Sequence, residues 1–573
     1  MTLGEKKLFA GSIALIVLSS LFLLGTYAFI HRVEVPTTGG TYTEALIGSP
    51  RFINPLYAQT NDVDADLSSL LFSSLIKWQP GGGYVNDLAD SMQISADQTQ
   101  YTFHLRTNAT FSDGEPVQAS DVVFTYTAIQ NPVYRSPLIS YFRNIKVEQV
   151  DDQTVLFTLP TASATFPEHL TIGILPGNLW SDILAQNAPL ASLNLQPIGS
   201  GPYVFQEFSK DKKGSIRSYT LKRNNHYYGT SPKIDQLIFK FYPDEESVSQ
   251  ALINKNVEGV GYVAFEHRTS TENNHNVRTV FASIPRGTSL FFNTQNPILK
   301  NPAVRLAISN AIDKESIVKT ILGSHAIVLN GPLLNGSVGY DAAYHPNGFN
   351  PSAAMTALDA AGYLKPTGSS FRKIPVKSTP VPTKSSKNSK KQTETPTPVQ
   401  EPSDLSFTLT TVSNDEFSHV AAEIKAELEK IGISITIKTV DADHLMTDVV
   451  DLQTYDLLLA ADYAGTDLDP YAFWHSSQIT AGGLNIGHYQ SKDADKLLEK
   501  ARTTATDTDR AVIYRQFQDL LVKDAPAAFL YQSTYSYALP KKIHFTAPDA
   551  LRVPSDRFAD MTNWYINTKK SLK

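Results

Sequence analysis

The chain has 573 residues, enough at about 150 per domain for three or four domains. With 42% hydrophobic and 18% charged residues it can bury large cores, and a net charge of −6 supplies no basic field for a nucleic-acid backbone. It contains no cysteine, which excludes disulfides, thiolate metal sites, a cysteine nucleophile and a lipid attached through sulfur.

The first element is a segment of membrane length. No residue from Leu8 to Ile30 is charged, and at about 1.5 Å per residue the stretch reaches about 34 Å, enough to cross a hydrocarbon core. Lys6 and Lys7 precede it and only Arg32 follows closely. The positive-inside bias therefore predicts a cytoplasmic tail (1–7), a transmembrane anchor (8–30), a linker (31–40) and an extracytoplasmic body. A cleaved export signal is the alternative, but the span exceeds the usual signal core, and Thr26 with Ala28 makes a poor cleavage site.

Tyr101, Phe103 and Leu105 alternate with polar residues, as do Val155, Phe157 and Leu159, which predicts two half-buried strands. Between them, after the Asp113-Gly114 turn, a helix is expected with Ser120 as N-cap and Asp121 in its first turn. Further on, residues 366–403 are dominated by Ser, Thr, Pro and Lys and predict a disordered insertion. The stretch 365–403 holds eight Lys/Arg against two Glu, and residues 1–32 hold three against one. Of the net −6, the remaining body therefore carries −14. After the insertion, Leu405, Phe407 and Leu409 alternate, then Phe417, Val420, Ala421, Ile424, Leu428 and Ile431 recur at helical spacing. Gly432 closes that helix, and Ile433, Ile435 and Ile437 alternate again. This is a strand-helix-strand unit of an α/β domain.

No catalytic constellation emerges. The thirteen histidines are scattered, and His475 and His488 read as surface or packed side chains, not as metal ligands. Gly259-Val260-Gly261-Tyr262-Val263-Ala264 fits a dinucleotide fingerprint in letters only, because a polar stretch stands where a buried strand is required. Ser200, in Pro197-Ile198-Gly199-Ser200-Gly201-Pro202, reads as part of a turn. Asp151-Asp152 and Glu245-Glu246 read as solvated turns without raised pKa. An exported body without a reactive centre points to binding, with no cofactor or metal.

Several ordered blocks carry a family likeness. The longest runs from Leu88-Ala89-Asp90-Ser91 through Tyr101 to Arg106, then Phe111-Ser112-Asp113-Gly114-Glu115-Pro116-Val117 and Ala119 to Phe124. Others are Pro197 to Tyr203, Leu221 to Asn224 with Tyr227 and Pro232 to Asp235, and Asn301 to Lys314. Across roughly 39–567, outside the insertion, the chain resembles the extracytoplasmic solute-binding proteins of peptide- and nickel-type ABC importers. The resemblance implies an α/β, two-lobe periplasmic-binding-protein fold (type II) with an additional domain beside the first lobe. Expected are lobe I from 41–75, 195–285 and 535–573, the additional domain from 76–194, and lobe II from 286–534.

In peptide-binding members an aspartate within a Trp-x-Ala-Asp-Tyr-like stretch pairs with the ligand's amino terminus. Leu459-Ala460-Ala461-Asp462-Tyr463 occupies that place, with Leu459 where the aromatic stands. Asp462, flanked by Ala461 and Tyr463, is thus the candidate ligand contact; the plainer reading is a strand-end aspartate bonded to its own lobe. The implied partners are a peptide and the membrane subunits of an ABC permease, with the chain acting as a monomer. Oligosaccharide or chelated nickel as ligand, a peptide-sensing receptor, and an anchored hydrolase are the alternatives.

Overall fold

The computed structural model describes residues 2–572 except 31, 82, 347, 376–401 and 481. Its longest strands, Val277–Phe292 and Ala527–Pro540, are almost continuously buried, as strands covered on both faces must be. They pair antiparallel from Val277↔Pro540 to Phe291↔Ala527, with breaks in register between Ser283 and Gly287 and between Thr288 and Ser289. Such irregularities bend a strand locally.

Everything else in the main sheet hangs on this pair. Beyond Ala527–Pro540 lie Gly259–Val260, Thr41–Ile47, Gln236–Tyr242, Ile216–Arg223 and Tyr203–Lys210; beyond Val277–Phe292 lie Leu457–Tyr463, Ser406–Val412 and Ser434–Val440. The two halves keep separate cores. One, around Leu67, Tyr219 and Leu237, is continuous with the packing of a four-stranded antiparallel sheet at 89–158. The other half is filled around Ile308, Leu409 and Leu459 and around Leu458, Phe517 and Phe529.

The strand-helix-strand unit forms as its periodicity predicts. Asn414 accepts a hydrogen bond from the Phe417 amide, Asp415 and Glu416 occupy the first turn, and Asp415–Lys430 buries Val420, Ala421, Ile424 and Leu428. Gly432, at φ 88°, ends the helix, and the flanking strands pair in parallel with Leu409 opposite Ile437. In the smaller sheet, Phe103 and Phe157 meet edge to face at 5.7 Å beneath the helix Ala119–Gln130.

Four expectations need correction. The helix start is not capped by Ser120: Gln118 is the N-cap, and the Asp121 carboxylate accepts from the Gln118 and Gly177 amides, both at 2.8 Å. The expected linker 31–40 is in part a paired strand: Arg32–Thr37 pairs with Asn567–Leu572, Val33 opposite Ser571 and Val35 opposite Lys569. The insertion begins later than 366. Arg372 is buried and donates to the carbonyls of Ile431 (2.8 Å) and Tyr363 (2.7 Å), and Ile374 bonds Ser403 at 2.9 Å. The rest of the expected insertion, 376–401, lies outside the described residues. Finally, Glu245-Glu246 is no turn: Asp244 caps the helix Glu245–Ile253, and burial, reinforced by Glu266, pushes Glu245 up to about 7.

The Pro197–Pro202 glycines are set by packing. A Cβ on Gly199 would lie 2.1 Å from the Leu71 carbonyl oxygen and one on Gly201 2.5 Å from the Leu71 carbonyl carbon, so only glycine lets the two segments touch.

Candidate functional site

Leu457–Tyr463 runs into the break of the main sheet: Thr288 faces Ala461, Gly287 faces Asp462, and Arg286 faces Tyr463. Alternation along the strand sends Asp462 to one side and its neighbours to the other. Ala461 packs on a core. Asp462 lines a cavity of about 30 Å³ whose walls include Leu334, Leu468, Trp474 and Phe529. That is room for one water-sized group. Tyr463 instead lines a cavity of about 330 Å³ on the other side, where its hydroxyl donates to the Arg552 carbonyl at 3.1 Å.

The carboxylate of Asp462 has no hydrogen bond and no ion pair among the described residues, so the plainer reading of a strand-end aspartate bonded to its own lobe is not what the structure holds. Burial alone pushes its pKa up to about 8, with no cation to hold it down. An ammonium in the neighbouring space would reverse that shift, because an opposite charge at contact favours the ionised form.

The larger cavity is walled by the helix Asp62–Leu71, the turn Phe166–Leu170, the turn Pro554–Phe558 and the segment from Tyr463 to Thr466. Its two basic side chains are already engaged. Lys77 lies 3.3 Å from Asp87, which also accepts from Tyr228 at 2.8 Å. Arg552 pairs with Asp556 at 3.3 Å, donates to Tyr84 at 2.8 Å and lies over the Trp78 and Tyr84 rings at 4.9 Å each. Glu168 on the same wall has no such partner. Burial, then the charge of Asp467, raises its pKa, and burial followed by Arg502 pushes its neighbour His169 down to about 4. Nothing in the sequence marked Glu168 or Arg552. Their only signal is a charged residue inside an apolar stretch, such as Phe166-Pro167-Glu168-His169-Leu170.

The other candidates resolve structurally. His475 is buried, its Nδ1 2.8 Å from the Ser477 hydroxyl and its Nε2 3.4 Å from Glu499. His488 bonds Gln453 at 2.7 Å. No group of three metal-ligating side chains occurs among the described residues. Gly259–Val260 is a two-residue strand, and a Cβ on Gly259 would meet the Tyr42 hydroxyl at 2.2 Å. A larger hollow of about 740 Å³ is lined only by residues between 48 and 243 and touches neither Asp462 nor Glu168.

Comparison with known proteins places this geometry. The model of the bacterial extracellular solute-binding proteins, family 5 (Middle), matches residues 83–485. The oligopeptide-binding protein AppA of Bacillus subtilis is 27% identical over 522 residues, 89% of each chain. Its structure in complex with a nonapeptide superposes with a TM-score of 0.68 at 25% identity, covering 93% of this chain and all of that one. NikZ of Campylobacter jejuni, solved with Ni(L-His), superposes at 0.70 and 26% identity over 92% of this chain and 99% of its own. With that match across most of its length and a shared two-lobe fold, the chain belongs to the bacterial extracellular solute-binding proteins, family 5.

Proposed function

We propose that this protein captures extended peptides between its two lobes and delivers them to the membrane subunits of an ABC importer. Lobe I comprises 41–75, 195–285 and 535–573, the additional domain 76–194, and lobe II 286–534. Closure turns on the paired strands Val277–Phe292 and Ala527–Pro540, whose register breaks where the lobes meet. The helix Leu3–Ile30, long and apolar enough to cross a membrane, tethers the body outside the cell in place of a lipid. The protein acts as a monomer, needs no cofactor and catalyses no reaction.

The observation that carries this reading is Asp462, a half-buried carboxylate without a partner among the described residues, beside an ammonium-sized space. Its unmet charge is the complement of a peptide's α-ammonium, and the ligand's main chain supplies further hydrogen bonds in the cleft. The peptide complex of the Bacillus subtilis relative supports the ligand class. Native mass spectrometry of the full chain in detergent micelles tests it. Peptides should accompany the protein and be released on unfolding, whereas a sugar or a nickel chelate in their place overturns the reading.

A further inference from the structure

Charge around the larger cavity does not balance, and the imbalance is local. Arg552 is committed to Asp556, Lys77 to Asp87, Arg502 to Asp469 at 2.6 Å, and Arg510 to Asp507 at 2.5 Å. Glu168 on the cavity wall, and Asp467 behind it, are left without an ion pair to Lys or Arg among the described residues, although Arg510, whose Nε has no partner, partly offsets the burial of both. Among the described residues the only ion-pair contact of Asp467 is His169 at 3.7 Å, and that imidazole, pushed down to about 4 by burial and then Arg502, is neutral at physiological pH. Burial, first of all, raises the pKa of both carboxyls, and Asp62 adds a further exposed acid at the rim. A metal ion does not suit the space. At about 330 Å³ it is at the scale of an organic group, and rings of Trp78, Tyr141 and Tyr463 line it. Acidic charge between aromatic faces is the environment an organic cation favours.

We propose that this cavity is a cation-selecting subsite: it takes a lysine or arginine side chain of the peptide whose α-ammonium sits at Asp462, with Glu168 as counter-charge. This rests on the peptide reading above and narrows it to basic peptides. The two carboxylates lie on opposite sides of the strand end at Asp462-Tyr463, so an extended ligand crossing that end presents its terminus to one and a side chain to the other.

Calorimetric titration of the full chain in detergent micelles is the test, using tetra-alanine and its variants with one lysine, norleucine or glutamate at position 2, 3 or 4. At one position lysine should bind about tenfold more tightly than norleucine, and glutamate more weakly than either. Glu168→Gln, matched in size, should bring the lysine-to-norleucine ratio at that position to about two or below. A ratio near one at every position in the unaltered protein overturns the subsite, as does a lysine preference that survives Glu168→Gln. Binding of none of the peptides overturns the peptide reading itself, whereas binding without a lysine preference overturns only the subsite.

Discussion

Two sets of enclosed charge, Arg557 with Glu44 and Asp66 on one hand and the carboxylates of Asp462 and Glu168 on the other, are built on opposite terms. Facing inward, Arg557 is almost wholly enclosed and donates to Glu44 at 2.7 Å and Asp66 at 2.6 Å, both themselves buried. Burial works against its charge, yet the two carboxylates overcome that and raise its pKa, while burial lifts Asp66 only to about 6. Arg557 and Asp66 stay ionised near neutral pH. Asp462 and Glu168, half-buried in two neighbouring cavities, also lose water but have no cation in contact among the described residues. The first arrangement is complete within the chain and serves the fold; the second lacks a cation among the described residues, as the proposed binding site requires.

The contrast can be broken at either end. Arg557→Met should cost about 3–5 kcal/mol in urea unfolding, since it strands Glu44 and Asp66 without a cation. A loss below about 1 kcal/mol would mean that the inner cluster tolerates unpaired acid as the cleft does. Asp462→Asn should act in the opposite direction. The folded pKa of Asp462, about 8, lies above its ordinary 3.8, so its contribution is fully present below about pH 4 and is lost as pH rises through 8. The unliganded Asn variant should therefore gain on the order of 2 kcal/mol over the parent at pH 9, a gain that fades towards pH 5 in thermal melts. A gap independent of pH would place the carboxylate in water. Smaller effects divide the insertion. Arg372→Ala should cost about 1–2 kcal/mol through its lost carbonyl bonds. Excision of 376–401 should change stability by about 0.5 kcal/mol or less, because Ile374 and Ser403 already bond across the junction.

What could be read in the sequence was local. The unit at 405–440 announced itself through alternation, helical spacing and Gly432, and the block from Leu88 to Phe124 through its ordered likeness to a family. The inner cluster was invisible because Arg557 meets Glu44 and Asp66 across 513 and 491 residues. The same distance hid the ribbon of Arg32–Thr37 with Asn567–Leu572, where alternation over so few residues names no partner. Asp462 was found by likeness alone: nothing in Leu459-Ala460-Ala461-Asp462-Tyr463 says that its carboxylate would lack a partner, since that depends on what the surrounding elements withhold. Glu168 was missed for the same reason, and Arg372 because its composition-poor neighbourhood concealed a single anchored side chain.

The most direct measurement is a cycle of four affinities: the parent and Asp462→Ala proteins, each with a peptide bearing a free amino terminus and with its N-acetylated form. Each single change should cost about 2–4 kcal/mol, because each leaves one buried charge unpaired. Both together should cost little more than either alone, the mark of a shared contact. Fully additive losses, or unchanged affinity in a folded Asp462→Ala protein, would contradict the pairing of Asp462 with the peptide's ammonium.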